Sequence, residues 1–318
     1  MTIGKIVEFI VIAFAVLILF VILLSIFDKF FKFFTFKHNV LKVQRGELIK
    51  KKMFKCSDLY ELKGNGEINQ KGTHVLIYIH DTCGNRTDAN KMMDGFSKKD
   101  PKISVVSYDQ RGFGENTVER DRNFGANLSD LKEMIYDIQD RFKQKIILVG
   151  HGFGANLAIA CANEEGVSQV FAGSLKIEKG YKTSFATKMA VFGAGIFSSK
   201  SLIDYPYDAP DLSDDIEFVK ELQKRRELQS SFSVREYYQT QHMLNYAIKK
   251  YNQSAADNLT ILQPAKSVYA RADHFAKKVT KFNNVKIEVV KESKHHLFNT
   301  TNSNDIFELI FKSITKNS

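Results

Sequence analysis

Residues 145 to 163, KIILVGHGFGANLAIACAN, constrain the fold of this chain more than any other stretch. A short apolar run of strand character enters a turn with glycine at 150, 152 and 154, and a run of small residues of helix character follows. The turn admits three readings. In the form Gly-x-Nuc-x-Gly, a strand bends into a helix so sharply that the central side chain stands clear of the sheet. Here the frame is Gly150, His151, Gly152, Phe153, Gly154, so the frame is present and its central side chain is missing. Gly150, Gly152 and Ala155 also satisfy the dinucleotide pattern G-x-G-x-x-[G/A], which asks for an acidic residue about 20 positions on. Glu164 and Glu165 come too early for that role. The third reading is a turn that only packs.

The 318 residues, 44% of them apolar, suffice for one large α/β domain and an appendage. Cys56, Cys83 and Cys161 are odd in number and far apart, which suggests neither a disulfide framework nor a zinc pattern and fits a reducing compartment. No cofactor or metal is implied. The formal charge of +10 is concentrated rather than spread, because nine Lys or Arg face two acidic residues between Asp28 and Lys55. That placement argues against nucleic acid as a partner.

Phe9 to Phe27 is an uncharged run of 19 residues. As a helix it would measure roughly 28 Å, close to a bilayer core. An uncleaved anchor is expected over 1–28. The competing reading, a signal peptide, has a shorter apolar core and a small-x-small end that this run lacks. Only Lys5 and the terminal amine precede the run, whereas Lys29, Lys32, Lys37, Lys42, Arg45 and Lys50 to Lys52 follow it. The positive-inside rule then places the large domain in the cytoplasm. Between 29 and 50 those cations alternate with Phe30, Phe31, Phe33, Phe34 and Phe36, a composition suited to an anionic membrane surface.

Residues 51–318 read as the folded domain. Leu48 to Leu62 predicts the first strands, closed by a tight turn at Gly64-Asn65-Gly66. Val75 to His80, Ile103 to Tyr108 and Ile146 to Val149 are apolar runs expected of strands buried on both faces. Leu128, Leu131, Met134, Ile135 and Ile138 recur at helical spacing, and Asp305 to Ile314 reads as a closing helix. The alternation implies an α/β fold with a mainly parallel sheet, whose ligands bind beyond the carboxyl ends of the strands.

Segments after successive strands carry a specific set in order: His80-Asp81-Thr82-Cys83-Gly84, Asp109-Gln110-Arg111-Gly112-Phe113-Gly114, the glycine turn, and then Asp273 and His295. From about Lys51 to Phe311 the chain resembles the α/β-hydrolase family, and within it the monoacylglycerol lipase and lysophospholipase group. The resemblance implies an α/β-hydrolase fold with a helical cap inserted over about 177–259, covering an acyl-chain site. It also makes Gly152 the vacant nucleophile position of an elbow, Asp273 the acid and His295 the histidine of the triad. His296 is the alternative to His295, and a helix N-cap is the alternative role for Asp273. The backbone N–H groups of Thr82 and Phe153 are the implied oxyanion hole, within loops that include His80, Asp81, Gly150, His151 and Gly154.

Two departures stand at the reaction centre. Gly152 supplies no oxygen or sulfur nucleophile. Asp81 stands where the family has glycine after the histidine, and a carboxylate there opposes an oxyanion. The expected protein is a membrane-anchored relative impaired in ester hydrolysis that binds a membrane lipid, an acyl-chain ligand or a partner. One alternative is a working lipid-ester hydrolase using activated water, Cys83 or His151. The other is an interaction protein with a vestigial pocket.

Overall fold

The structure is a computed structural model that describes residues 3–35, 47–49, 53–116, 124–176, 189, 202–204, 207–225, 231–269 and 272–316. Helix α1 runs Ile3–Thr35, beyond the uncharged run on both sides. Its segment Ile3–Phe27, with mean hydropathy 3.4, is long and apolar enough to cross a membrane. The basic segment from 36 to 46, Lys50 to Lys52 and most of the apolar stretch 189–197 lie outside the described residues.

The strands are β1 (Glu47–Ile49), β2 (Met53–Lys55), β3 (Glu61–Asn65), β4 (His74–Ile79), β5 (Ile103–Tyr108), β6 (Lys145–His151), β7 (Val167–Gly173), β8 (Leu202–Asp204), β9 (Ser231–Ser233), β10 (Leu259–Pro264) and β11 (Lys286–Val290). Among the described residues nine of them form one sheet, in the order β1-β2-β3-β5-β4-β6-β7-β10-β11. The first three are antiparallel to their neighbours, and every pairing from β5 to β11 is parallel. β8 and β9 pair apart from it. Every residue of β4 and of β5 is buried, as the unbroken apolar runs require of central parallel strands.

Alternate residues of β4 feed two core layers. Val75, Ile77 and Ile79 pack with α3 (Phe124–Phe142), α4 (Phe153–Ala160), α7 (Val234–Tyr251) and α8 (Ala272–Val279). Leu76 and Tyr78 pack with α2 (Asn90–Lys99) and α9 (Ser303–Lys316). Two short helices, α5 (Ala209–Leu212) and α6 (Ile216–Lys224), join Cys83 and Tyr207 in a smaller cluster above the strand ends.

Three local expectations change. Gly64 and Asn65 are strand residues paired with Tyr108 and Ser107, so they do not close a hairpin. Ser267 to Ala270, ahead of Asp273, reads as a strand in the sequence, but the strand is Leu259–Pro264 and 267–269 is loop. The last helix of the expected cap, α7, packs against α4 through Met243, Leu244, Ala247 and Ile248. Tyr237 to Tyr251 reads as helical by its spacing, which gives an apolar face without saying which surface that face will meet.

Candidate active site

Five neighbouring parallel strands deliver the site from their carboxyl ends. Asp81 follows β4, Gly152 follows β6, Lys176 follows β7, Ser267 follows β10 and His295 follows β11. The turn after β6 is as sharp as its sequence implies. Gly152 has φ +56° and ψ −114°, which glycine adopts without a Cβ penalty. A Cβ on Gly154 would meet the carbonyl oxygens of Ile79 and His80, so β4 and the turn approach closely.

The space above Gly152 is filled by Asp81. A Cβ built on Gly152 would overlap Cγ and both oxygens of that carboxylate. Asp81 Oδ1 accepts hydrogen bonds from the backbone N–H of Thr82 at 2.7 Å and of Phe153 at 2.7 Å. Those are the two donors expected of an oxyanion hole, and here they converge on one oxygen of the chain itself. The Thr82 hydroxyl adds a third bond at 3.2 Å. Asp81 Oδ2 faces Tyr207 OH at 3.4 Å, His295 Nε2 at 3.5 Å and Cys83 Sγ at 3.7 Å. The two sequence departures are therefore one arrangement: the carboxylate added at 81 occupies the room freed at 152.

Asp81 and His295 are both buried. Burial opposes ionisation of Asp81, but Lys176, followed by the neighbouring His295 and His151, outweighs it and holds the carboxyl well below its usual range. Lys176, itself buried, lies 3.7 Å from Asp81 Oδ1 and donates to Thr82 Oγ1 at 2.5 Å. Burial lowers the His295 pKa despite the neighbouring carboxylate, so its imidazole is neutral near pH 7.

The second nitrogen of His295, Nδ1, meets Ser267 Oγ at 3.1 Å. Asp273 lies in the first turn of α8, its side chain 52% exposed and 3.7 Å from His274. The structure thus brings Ser267 to the position in which a triad acid was expected. Because β10 ends at Pro264, the loop after it presents residue 267, and 273 is already on the following helix.

His151 does not point at the vacancy. Its Nε2 donates to the His295 carbonyl at 3.0 Å, and burial keeps the ring neutral. The Cys83 thiol is pushed well above its usual pKa by burial and then by Asp81, so it is protonated and weakly nucleophilic. His296 lies on a second carboxylate, Asp88, at 3.4 Å. His80 is a brace: Nδ1 donates to the Asp81 carbonyl at 2.6 Å and Nε2 accepts from Gln110 N–H at 2.9 Å. The 109–114 turn supports the same loop, since Asp109 accepts from Arg86 N–H at 2.7 Å and from Glu115 N–H at 2.9 Å.

The dinucleotide reading fails on charge and space. The N–H of Phe153 at the start of α4, which a pyrophosphate would need, already holds a carboxylate. Among the described residues no group of three or more His, Cys, Asp or Glu is arranged to hold a metal ion. Lys176, Tyr207 and Ser267 were not found by sequence reasoning. Only the paired departures at 81 and 152 carried a signal, and a size exchange between them was legible in principle.

The sequence model of the Hydrolase_4 family, described as serine aminopeptidase, S33, matches residues 77–302. No curated protein sequence matches the chain. Among solved structures, a soluble variant of monoglyceride lipase from Saccharomyces cerevisiae, in complex with a substrate analog, superposes with TM-score 0.68 and 13% identity, covering 89% of this chain and 98% of that one. A monoacylglycerol lipase from Paleococcus ferrophilus gives TM-score 0.65 and 15% identity over 81% of this chain and 99% of that one. The α/β hydrolase GrgF from Penicillium sp. sh18 gives TM-score 0.65 and 14% identity over 82% and 95%. At these identities the likeness is one of fold, the α/β-hydrolase fold.

Proposed function

The chain belongs to the Hydrolase_4, serine aminopeptidase S33, family of α/β hydrolases, and we propose that within it this protein is a membrane-anchored member that has lost acyl-ester hydrolysis and binds an acyl-chain lipid or a partner at the membrane. One observation carries the reading. Asp81 takes both N–H donors that would stabilise an acyl oxyanion, and it fills the place of the nucleophile. An ester carbonyl cannot enter that hole without expelling a charged group held by two N–H groups and faced by Lys176.

The histidine is also set differently from a triad base. Its Nε2 faces a carboxylate and its Nδ1 a neutral hydroxyl. A triad acid on Nδ1 would instead orient and charge-stabilise the imidazole. Membrane attachment through Ile3–Phe27 is supported by length and composition. A cytoplasmic domain is supported by the cations that follow the span. The acyl-chain ligand is supported by the fold likeness to monoglyceride lipases, one of them solved with a substrate analog.

The test is aryl-ester turnover and fluorophosphonate labelling of the native chain and of Asp81→Gly with Gly152→Ser combined. Native protein gives neither signal. The double variant empties the oxyanion donors and restores a hydroxyl at the elbow, and it gains labelling. Native turnover that disappears in His295→Ala would sink the proposal.

A further inference from the structure

We propose that the amino ends of the central strands form a second site, which binds a phosphorylated sugar or polyol carrying an anionic group at each end. The site lies at the opposite end of the sheet from Asp81, and it stands apart from the proposed loss of ester hydrolysis.

A cavity of about 460 Å³ is found there, within the roughly 300 to 1,000 Å³ of small-molecule sites. One row of the sheet forms its floor. His74, Lys145, Gln169, Thr260 and Lys286 line it from the neighbouring strands β4, β6, β7, β10 and β11. His74 is paired with Lys145 and Thr260 with Lys286, while Gln169 stands opposite Ile147. Alternate residues of a strand share a face. Two positions beyond His74, Lys145, Gln169 and Thr260, that face carries Leu76, Ile147, Phe171 and Leu262, all in the core layer with α2 and α9. The face therefore changes from apolar to polar at its amino edge, where the end of α9 adds Ser313, Ile314 and Lys316 to the lining.

Packing alone does not ask for such a row. His74, Gln169 and Thr260 are buried, and a buried polar side chain is costly unless something bonds it. Ser313 holds Gln169, whose Nε2 donates to the Ser313 carbonyl at 3.1 Å and whose Oε1 accepts from the Ser313 hydroxyl at 3.2 Å. His74 meets Thr73 Oγ1 at 2.9 Å through Nδ1, which leaves Nε2 for a bound group. Burial, and then the charge of Lys145, lowers the His74 pKa against the opposing field of Asp100. An anion beside Lys145 raises it again.

Charge and shape set the ligand class. Lys145 on β6 and Lys286 on β11 are three strand spacings apart, roughly 14 Å, with the neutral side chains of Gln169 and Thr260 between them. Lys286 is paired at 2.9 Å with Glu288, a solvent-facing bridge that is worth little and readily exchanged. Lys316 answers the free carbonyls in the last turn of α9, and Asp257 is the one carboxylate in the lining among the described residues. Lysine is a point-charge partner for phosphate. A single phosphate would engage one end of the row, whereas phosphates at both ends of a hydroxyl-bearing chain or ring engage all of it. Among the described residues no Phe or Tyr lines the cavity, so a nucleobase finds no ring to stack on.

The experiment is calorimetric titration of the detergent-solubilised full chain with fructose bisphosphate, with dioctanoyl phosphatidylinositol bisphosphate and with fructose. Saturable binding of a phosphorylated probe and none of fructose is expected. Binding of the first probe alone identifies a soluble sugar phosphate as the source, and binding of the second alone a lipid headgroup. Lys145→Glu combined with Lys286→Glu, both exposed side chains, should weaken binding by about 10²-fold or more. The same change of charge on the other side of the sheet, Lys249→Glu with Lys277→Glu on α7 and α8, should leave it unchanged. By NMR of the native chain, the His74 ring signals should move as the probe saturates, with a rise in pKa. No binding of either phosphorylated probe overturns the inference, as do His74 signals that stay fixed at saturation. Binding that the Lys145 and Lys286 changes leave intact, or that both double variants weaken equally, also overturns it, since the anion would then sit elsewhere on this basic chain.

Discussion

Two buried carboxylates, Asp81 and Asp88, each face one of two adjacent histidines, His295 and His296, and they are held by different means. Asp88 ends a capping box with Asn85, pairs with the Arg225 guanidinium, and meets His296 Nε2 at 3.4 Å. Burial opposes its ionisation, and Arg225, followed by His296, lowers its pKa in spite of that. Arg225 also reaches Thr87 Oγ1 at 3.1 Å and Glu221 at 2.6 Å, which ties the end of α6 to the loop after β4. Among the described residues Asp81 has no guanidinium partner. Its charge is held by two N–H groups and a lysine 3.7 Å away. A directly ion-paired carboxylate is a fixed strut, whereas Asp81 is bound through one oxygen to backbone N–H groups and meets Tyr207, His295 and Cys83 at 3.4 to 3.7 Å through the other.

The largest test of this contrast is Asp88→Ala. It leaves Arg225 buried without its main partner and should cost about 3 to 5 kcal/mol in denaturant unfolding. Asp81→Asn retains an acceptor for the N–H pair and loses only the charge facing Lys176, so about 1 to 3 kcal/mol is expected. Equal losses at the two sites would break the comparison.

Gly152→Ser alone comes next. Its Cβ collides with the Asp81 carboxylate and it must adopt φ +56°. About 1 to 3 kcal/mol of destabilisation is expected. Combination with Asp81→Gly should recover part of it, and a double-mutant cycle reads the coupling between the positions. Purely additive losses would show that the carboxylate does not occupy the elbow space.

Acid should unfold the protein in two stages. His151 and His295 have folded pKa values below 6.5, so their contribution is complete above pH 6.5 and is lost as pH falls through the folded values. Asp81 and Asp88 are depressed below 3.8, so their contribution persists above that pH and is lost only as pH falls further. In stability measured against pH, Asp81→Asn should flatten the lower stage and deepen the upper one, because the carboxylate that raises both histidines is gone. The smallest effect expected is that of Asp273→Asn, within about 0.5 kcal/mol for a half-exposed side chain. By NMR, Ser267→Ala should shift the His295 ring signals and Asp273→Asn should not.

Much of the fold was legible because it rests on local pattern. The apolar runs 75–80, 103–108 and 146–149 coincide with central strands, and the repeat 128–138 lies within α3. Thr82 and Phe153 were legible as donors because backbone N–H groups depend on turn geometry rather than side-chain identity. Asp273 was misleading because an acid before a helix satisfies a spacing rule wherever the preceding strand ends. Only the pairing of β10 with β7 and β11 sets that end at Pro264.

By itself the sequence determined a parallel α/β sheet, a sharp glycine turn, a histidine late in the chain and an N-terminal segment long enough to span a bilayer. Each follows from periodicity, backbone freedom or length. Only the tertiary structure decided that Asp81 and Gly152, 71 positions apart, share one space, and that Ser267 and Lys176 complete it. Occupancy of a volume depends on which strands are neighbours, and the order β4-β6-β7-β10-β11 is a property of the folded sheet.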